Sequence, residues 1–496
     1  MTDLRNVSIK VKNYKSIGAD EQGYAGICPV NLIIGRNNTG KSTLLDLIEY
    51  ATSPADRNLL AQGHKGRQPE VIITNVLVED ELKPVFRENT SGGDIPGNHW
   101  QFGSRWLGKP ITWKLEPGGN RVFVALDPPL AGVANQADWH QQLAHQNQNP
   151  FQGYISKKLL ADRDINPEKD DSIGMDANGN GATNTIQHFL NKAGLPTQLV
   201  DETLLSKLNE IFEPDATFTD IDVQQLEDKR WEVYLEEAEK RAIPLLQSGS
   251  GLKTILLVLV CLYLIPRVEN RPLGQYLFGF EELENNLHPA LQRRLLLFLR
   301  EVAVREGCRF FLTTHSNVAI DLFANDGRSQ IIHVTHDRQQ ATVRTVTTYV
   351  DNRGILDDLD VRASDLLQAN GVVWVEGPSD RLYFNRWMDL VSGGEIREGA
   401  HYQCVFYGGR LLAHMSGADP DVDTSEAVKI FEVNRNAIVI LDSDRREPGQ
   451  ALNETKRRII SEIEEVGDMA WVTAGRDVEN YLPISALESL YSVIIP

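Results

Sequence analysis

The hydrophobic rhythm of the chain changes several times, and each change marks an element. In VSIKVKNYKSI, residues 7–17, apolar and polar positions alternate as in a strand. VNLIIG, from Val30, predicts a second strand that runs through GRNNTGKS into TLLDLIEYA, an amphipathic helix. From 91 to 244 the regularity dissolves into SGGDIPGN, EPGGN, ALDPPLAG, QQLAHQNQNP and DANGNGATN, turn-rich pieces between short periodic segments. This region reads as an insertion, strand-rich first and helical later. Regular patterning returns near Leu245 and predicts a helix over 252–264, a strand over 276–280, a helix over 289–305 and a strand over 309–313. It breaks again between 351 and 368. A second unit follows with strand GVVWVEG, helix SDRLYFNRWMDLV, strands QCVFYGG and NAIVILDSD, helix LNETKRRIISEIEEV and strand MAWVTAG. The pattern predicts an α/β protein with one domain over 1–350 that contains the 91–244 insertion, a linker over 351–368 and a second α/β domain over 369–496.

Composition narrows this picture. A chain of 496 residues is too long for one core. The run ILLVLVCLYLI, 255–265, is too short to span a bilayer and predicts a buried helix, so no membrane is expected as a partner. No basic start is followed by an apolar segment, so no leader is expected. Cys28, Cys261, Cys308 and Cys404 lack metal-ligand spacing and fit a reducing, cytoplasmic location. The net charge of −19 argues against coating DNA by bulk charge. It leaves open a local basic groove with bridging divalent ions.

The first candidate site is Gly35-Arg36-Asn37-Asn38-Thr39-Gly40-Lys41-Ser42, which fits G-x-x-x-x-G-K-[ST] between a strand and a helix. In such a loop the glycines admit phosphate oxygens, the helix start adds free N–H groups, Lys41 reaches the β- and γ-phosphates, and Ser42 ligates Mg²⁺. Asn38, Thr39, Gly40 and Thr43 complete the expected ATP contacts. Three further pieces follow in order: QSGSGLKT (247–254), FGFEELENNLHP ending at Pro289, and FFLTTHS ending at Ser316. Together the four resemble ABC-type ATPases of the SMC/RecF kind. The resemblance makes Ser250 and Gly251 a phosphate-facing signature pair, Glu281 a Mg²⁺ partner, Glu282 the acid that positions the attacking water and His315 the γ-phosphate contact. It gives Glu284 no such role. In these ATPases the P-loop of one subunit faces the signature of another, so the resemblance implies a homodimer or higher even oligomer.

The second unit has its own acids. Glu376 follows one apolar strand, with Asp380 four residues on, and Asp442 and Asp444 end another. Alternation places Asp442 and Asp444 on one face, and parallel strands ending side by side would bring Glu376 to Asp442. Converging carboxylates there would repel unless Mg²⁺, or alternatively Mn²⁺ or Ca²⁺, neutralised them. Strand-Glu-Gly followed by strand-Asp-x-Asp resembles the Toprim domain of topoisomerases, primases and a class of nucleases. FYGGR (406–410) and GRDVENYLP (475–483) add to that resemblance. Glu479 in the latter reads equally as a further metal ligand or as a helix N-terminal acid. Arg476 is a candidate phosphate contact, and Arg476 or Lys456 a substitute for the basic residue common in Toprim nucleases.

An ABC-type ATPase followed by a Toprim domain resembles the OLD (overcoming lysogenization defect) nuclease family, including Gabija A-type defence proteins. That family implies a nucleotide-regulated, divalent-metal-dependent DNA endonuclease in bacterial anti-phage defence, with DNA as substrate and the 91–244 region mediating dimerisation. A second reading, from PARIS-type systems, is an ATPase scaffold that holds a second defence protein and whose Toprim domain does not cut. A topoisomerase or primase fits poorly, because no tyrosine breakage-and-rejoining motif and no zinc-binding segment is evident.

Overall fold

A computed structural model describes residues 3–54, 62–169, 173–238, 242–285, 287–323, 326–346, 371–396, 398, 401–406, 415–416, 428–429, 437–445, 447, 450–466 and 469–482. The chain divides into two compact units, Met1–Asp360 and Val361–Pro496. The expected linker at 351–368 lies outside the described residues, as do most of FYGGR and the end of GRDVENYLP.

The first unit is built on a six-stranded sheet. Its order across the sheet is Ile155–Leu159, Tyr276–Glu281, Arg309–Thr314, Val30–Ile34, Ser329–His336 and Ala341–Thr345. All neighbours are parallel except the last pair. Both faces are covered, which is why all five residues of Val30–Ile34 are buried, the polar Asn31 included. Val30, Leu32 and Ile34 point into one core with the helical stretch Ser250–Val268, and Ile33 points into the other with helix Lys41–Thr52. Each such fully buried aliphatic side chain contributes about 1.5–3 kcal/mol. A second, antiparallel sheet runs Gln22–Tyr24, Ser8–Lys12, Glu70–Val76, Pro110–Leu115 and Arg121–Leu126.

The 91–244 region differs from the expected insertion. Pro110–Leu115 and Arg121–Leu126 extend the antiparallel sheet from Glu70–Val76. Ile155–Leu159 is an edge strand of the central sheet and pairs with Tyr276–Glu281. Helices Ala182–Asn191 and Leu205–Phe212 then pack into the core shared with Ser250–Val268. Hairpin Phe218–Gln225 and Arg230–Glu237 adds strands to the later part, which the sequence pattern reads as helical. Loop-rich composition marks the connections, whereas strand pairing is a long-range property that composition does not carry.

The apolar helix also runs further than its apolar core. Ser250–Leu259, a π-turn over Val260–Leu264 and Ile265–Val268 form one stretch. By length and composition alone it would suffice to cross a membrane. Here Ile255 to Leu262 are 0–2% exposed, inside the protein core. All four cysteines are free thiols.

The second unit is a four-stranded parallel sheet in the order Gln403–Phe406, Val372–Val375, Ala437–Leu441, Met469–Val472. Helix Glu454–Val466 packs Ile459 and Ile463 against one face, and helix Pro378–Ser392 packs against the other.

Candidate functional site

In the first unit, three adjacent parallel strands end at the same edge. Thr314 is in register with Ile34, and Glu281 with Thr313. The segments that follow, Gly35–Ser42, Glu282–Asn285 and His315, are therefore brought together by the sheet. The phosphate loop demands its glycines. Gly35 has φ +150°, and a Cβ there would lie 2.2 Å from the Val334 carbonyl oxygen. Gly40, at φ +107°, caps helix Lys41–Thr52 and would place a Cβ 2.2 Å from Ser16 Oγ. Both positions exclude any L side chain without backbone movement. The helix behind the loop is held by Asp46, which accepts from Lys15 Nζ at 2.6 Å and Lys158 Nζ at 2.7 Å.

Lys41 is buried, and its Nζ donates to the carbonyls of Gly35 and Arg36 at 3.0 and 3.1 Å. It also lies 2.7 Å from His315 Nε2. Burial lowers the Lys41 pKa, against the opposing charges of Glu282, Glu284 and Glu281. Burial and then Lys41 lower that of His315, with Glu282 and Glu284 opposing. His315 Nε2 is also 3.4 Å from Glu282 Oε1. A bare Nε2 accepts from Lys41 and a protonated one donates to Glu282, so the ring stands between two exclusive partners. Thr39 in the loop and Thr43 in the first turn of helix Lys41–Thr52 are buried, and Asn38, at φ 62°, and Ser42 are exposed. Ser250 is exposed and Gly251 buried at the start of helix Ser250–Leu259. The contacts described for the phosphate loop involve neither of these two.

The acid turn is sharply built. Glu282 adopts φ 44°, a left-handed conformation uncommon for a residue with a Cβ. Its N–H donates to the Thr313 carbonyl at 2.9 Å, and its Oε2 accepts from Asn285 Nδ2 at 3.0 Å. Glu284 has a structural role. Its Oε1 accepts from Thr314 Oγ1 at 2.6 Å and the His315 N–H at 2.7 Å, which fixes the histidine backbone. The Leu-His-Pro segment starts the next helix. Leu287 is buried, His288 Nδ1 accepts from the Ala290 N–H at 3.3 Å, and Pro289 is the first residue of Pro289–Glu306. Arg163 is a residue that the sequence pattern did not bring out. Its guanidinium donates to the carbonyls of Glu281 and Glu282 at 2.5 and 3.0 Å. The signal available was an arginine shortly after the apolar end of a strand, hidden in the region read as an insertion.

In the second unit, Val372–Val375 and Ala437–Leu441 pair directly, so Glu376 and Asp442 leave neighbouring strand ends. Asp442 is partly buried and its Oδ1 has no hydrogen-bond partner. Burial, then the charges of Asp380, Glu376 and Asp477, push its pKa up to about 7, against Lys456. Glu376 is raised by burial, with Lys456 opposing and Asp444 and Asp380 adding to the rise. Lys456 is 3% exposed; its Nζ donates to the Asp442 carbonyl at 2.6 Å and to the Asp444 carboxylate. Asp380 is buried, and its Oδ2 accepts from the Gly377 N–H at 2.9 Å at the start of helix Pro378–Ser392.

One expectation changes here. Strand alternation stops at Leu441, and Asp444 turns at φ 55° toward Lys456, so Asp442 and Asp444 do not share a strand face. Glu479 is exposed in the turn Val478–Tyr481, and the acid of that segment whose charge reaches Asp442 is Asp477. The Arg476 side chain is exposed, and its carbonyl accepts from the Asp444 N–H at 2.9 Å. Among the described residues, no group of three or more His, Cys, Asp or Glu side chains is arranged to hold a metal ion. The chemistry of the donors nevertheless suits one: Asp442 has an orphaned carboxylate oxygen and feels the charges of Asp380, Glu376 and Asp477, a repulsion that a divalent ion would relieve.

Residues 135–320 match the model of an AAA ATPase domain. That range holds Arg163, Ser250, Glu281, Glu282 and His315, and the phosphate loop lies before it. No curated protein matches the chain. Solved structures with some similarity include an SmcHead bound to the C-winged helix domain of ScpA, at 15% identity and TM-score 0.38, covering 68% of this chain and 97% of that one. An SMC head domain from Thermotoga maritima is 14% identical with TM-score 0.34, covering 68% and 98%. An Smc head with coiled coil and joint from Pyrococcus yayanosii is 11% identical with TM-score 0.38, covering 70% and 98%. Residues 135–320 are thus similar to an ATPase domain, and ATP is the ligand that this match implies.

Proposed function

We propose that this protein is a nucleotide-regulated, divalent-metal-dependent DNA endonuclease of bacterial anti-phage defence, with ATP held in the first unit and phosphodiester cleavage in the second. The observation that carries the nuclease reading is Asp442: a partly buried carboxylate with an unpartnered oxygen, raised by surrounding acids, beside a buried lysine at the carboxyl edge of a parallel sheet. The resemblance to the OLD family supplies the defence context and the DNA substrate.

In the first unit Lys41 would exchange its carbonyl and histidine contacts for the β- and γ-phosphates, and Ser42 and Glu281 would hold Mg²⁺. Glu282 would orient the attacking water and accept its proton. Ser250 and Gly251 would complete the site of a second copy, so the active form is an even oligomer. In the second unit Asp442, Glu376 and Asp444 would hold Mg²⁺ or Mn²⁺, which when bound activates water and stabilises the leaving oxygen. Asp380 would orient the strand end through its cap, and Lys456 would keep a positive charge beside the phosphate. The lack of a ready three-acid group among the described residues favours, as the second reading, a scaffold ATPase whose second unit binds without cutting. A plasmid-cutting assay with Mg²⁺ or Mn²⁺ separates the two, because the scaffold retains ATPase activity and cuts nothing.

Two further results are expected. Burial and Lys41 lower the pKa of His315, and a γ-phosphate that draws Lys41 away and adds negative charge would raise it again. ATP binding near pH 6.5 should take up a fraction of a proton. Calorimetry in buffers of different ionisation enthalpy reads this, and uptake unchanged in His315→Ala would contradict it. The second concerns Asp442. A carboxyl at about 7 when folded and 3.8 when unfolded holds its proton in the folded state between those values. Metal-free stability contributed by this group is therefore present at low pH and is lost as pH rises from about 4 to about 7. The melting temperature in chelator should fall across that window, Mg²⁺ or Mn²⁺ should raise it more at pH 8 than at pH 5, and Asp442→Asn should flatten both trends. Equal metal shifts at both pH values would count against a metal at Asp442.

A further inference from the structure

The geometry points to Arg163 as the positioning residue that aims Glu282 at the attacking water and ties this aim to the helix that begins at Ser250. It rests on the reading of Glu282 as the water-orienting acid. A left-handed φ at a residue with a Cβ persists only where its surroundings over-determine it. Glu282 is fixed on both sides of its Cα. Its N–H is held by Thr313, and its carbonyl accepts from Arg163 Nη2 at 3.0 Å. The preceding carbonyl, of Glu281, accepts from Arg163 Nη1 at 2.5 Å, as does that of Leu160 at 2.6 Å. The planar guanidinium fork thus grips two consecutive carbonyls of the turn, which a single ammonium does not reproduce.

The remaining donor faces the other way. Arg163 Nε points to Thr254 Oγ1 at 3.4 Å, one turn into helix Ser250–Leu259, and the adjacent Asp164 pairs with Lys253 Nζ at 2.9 Å. Residues 163 and 164 therefore fasten the first turns of that helix to the acid turn. Displacement of the helix start is transmitted through one side chain to the carboxylate that lies 3.4 Å from His315.

Single-turnover ATP hydrolysis and fluorescent-ATP affinity of the full chain test this in wild type, Arg163→Lys, Arg163→Gln, Glu282→Gln and the double variant Arg163→Lys/Glu282→Gln. Thermal melts identify any variant that fails to fold. Arg163→Lys and Arg163→Gln should lower the hydrolysis rate about tenfold or more, with ATP affinity within about twofold, the mark of an interaction used in the transition state. Lysine should retain no more than a minor part of the rate. In the Glu282→Gln background the lysine substitution should have no further effect, because residues that act through one another are non-additive. Equal falls in both backgrounds, or loss of affinity in step with rate, would assign Arg163 a merely structural role and overturn the inference. Full hydrolysis by Glu282→Gln alone would remove the reading on which it stands.

Discussion

Glu282→Gln is expected to slow ATP hydrolysis by about 10²–10⁴-fold while leaving ATP affinity within about twofold. Glutamine keeps the shape of the side chain and can still accept from Asn285, 3.0 Å away. It cannot take the proton of the attacking water. The contacts of Lys41 with Gly35, Arg36 and His315 do not involve Glu282, so phosphate binding should survive. Rapid-quench measurement of hydrolysis beside an equilibrium ATP titration separates the two quantities. Retention of more than about a tenth of the wild-type rate would move the role to another acid, with Glu281 the next candidate.

Asp442→Ala is expected to reduce phosphodiester cleavage by about a hundredfold or more, since loss of even an outer partner of a metal ligand typically costs 10–100-fold. The same change leaves the first unit's site intact, so ATP hydrolysis should continue at the wild-type rate. It also removes the carboxylate whose pKa the charges of Asp380, Glu376 and Asp477 raise. The variant should therefore be no less stable than wild type in the absence of metal at pH 8. A variant that still cuts would point to a contaminating nuclease or to a different site.

Both sites were legible in part because local rules built them. The phosphate loop is a contiguous motif whose glycines are dictated by φ and by close backbone approach, and parallel strands naturally end in functional turns. Glu281, Glu282 and His315 follow the ends of strands, and the resemblance to ABC-type ATPases is what assigns their roles. What composition concealed was pairing. Ile155–Leu159 looks like any short strand in a loop-rich region until its register with Tyr276–Glu281 is known, and Arg163 becomes visible only through that register. Asp477 and Glu479 differ by which side of a short turn faces Asp442, a matter of backbone geometry that spacing cannot decide. Asp444 was misplaced because alternation was carried past the last strand residue, Leu441. Lys456 was one of two candidate basic residues, and burial between Asp442 and Asp444 distinguishes it from exposed Arg476.

The link between nucleotide and cutting is the centre of this account. Supercoiled plasmid, Mg²⁺ or Mn²⁺ and purified protein, assayed with and without ATP for wild type and Lys41→Ala, read it in one experiment. The account predicts that wild type nicks or linearises the plasmid at a rate that changes sharply with ATP, and that Lys41→Ala cuts at one rate regardless of ATP. Cutting by Lys41→Ala that responds to ATP as wild type does, or no cutting by wild type with its ATPase intact, would contradict it.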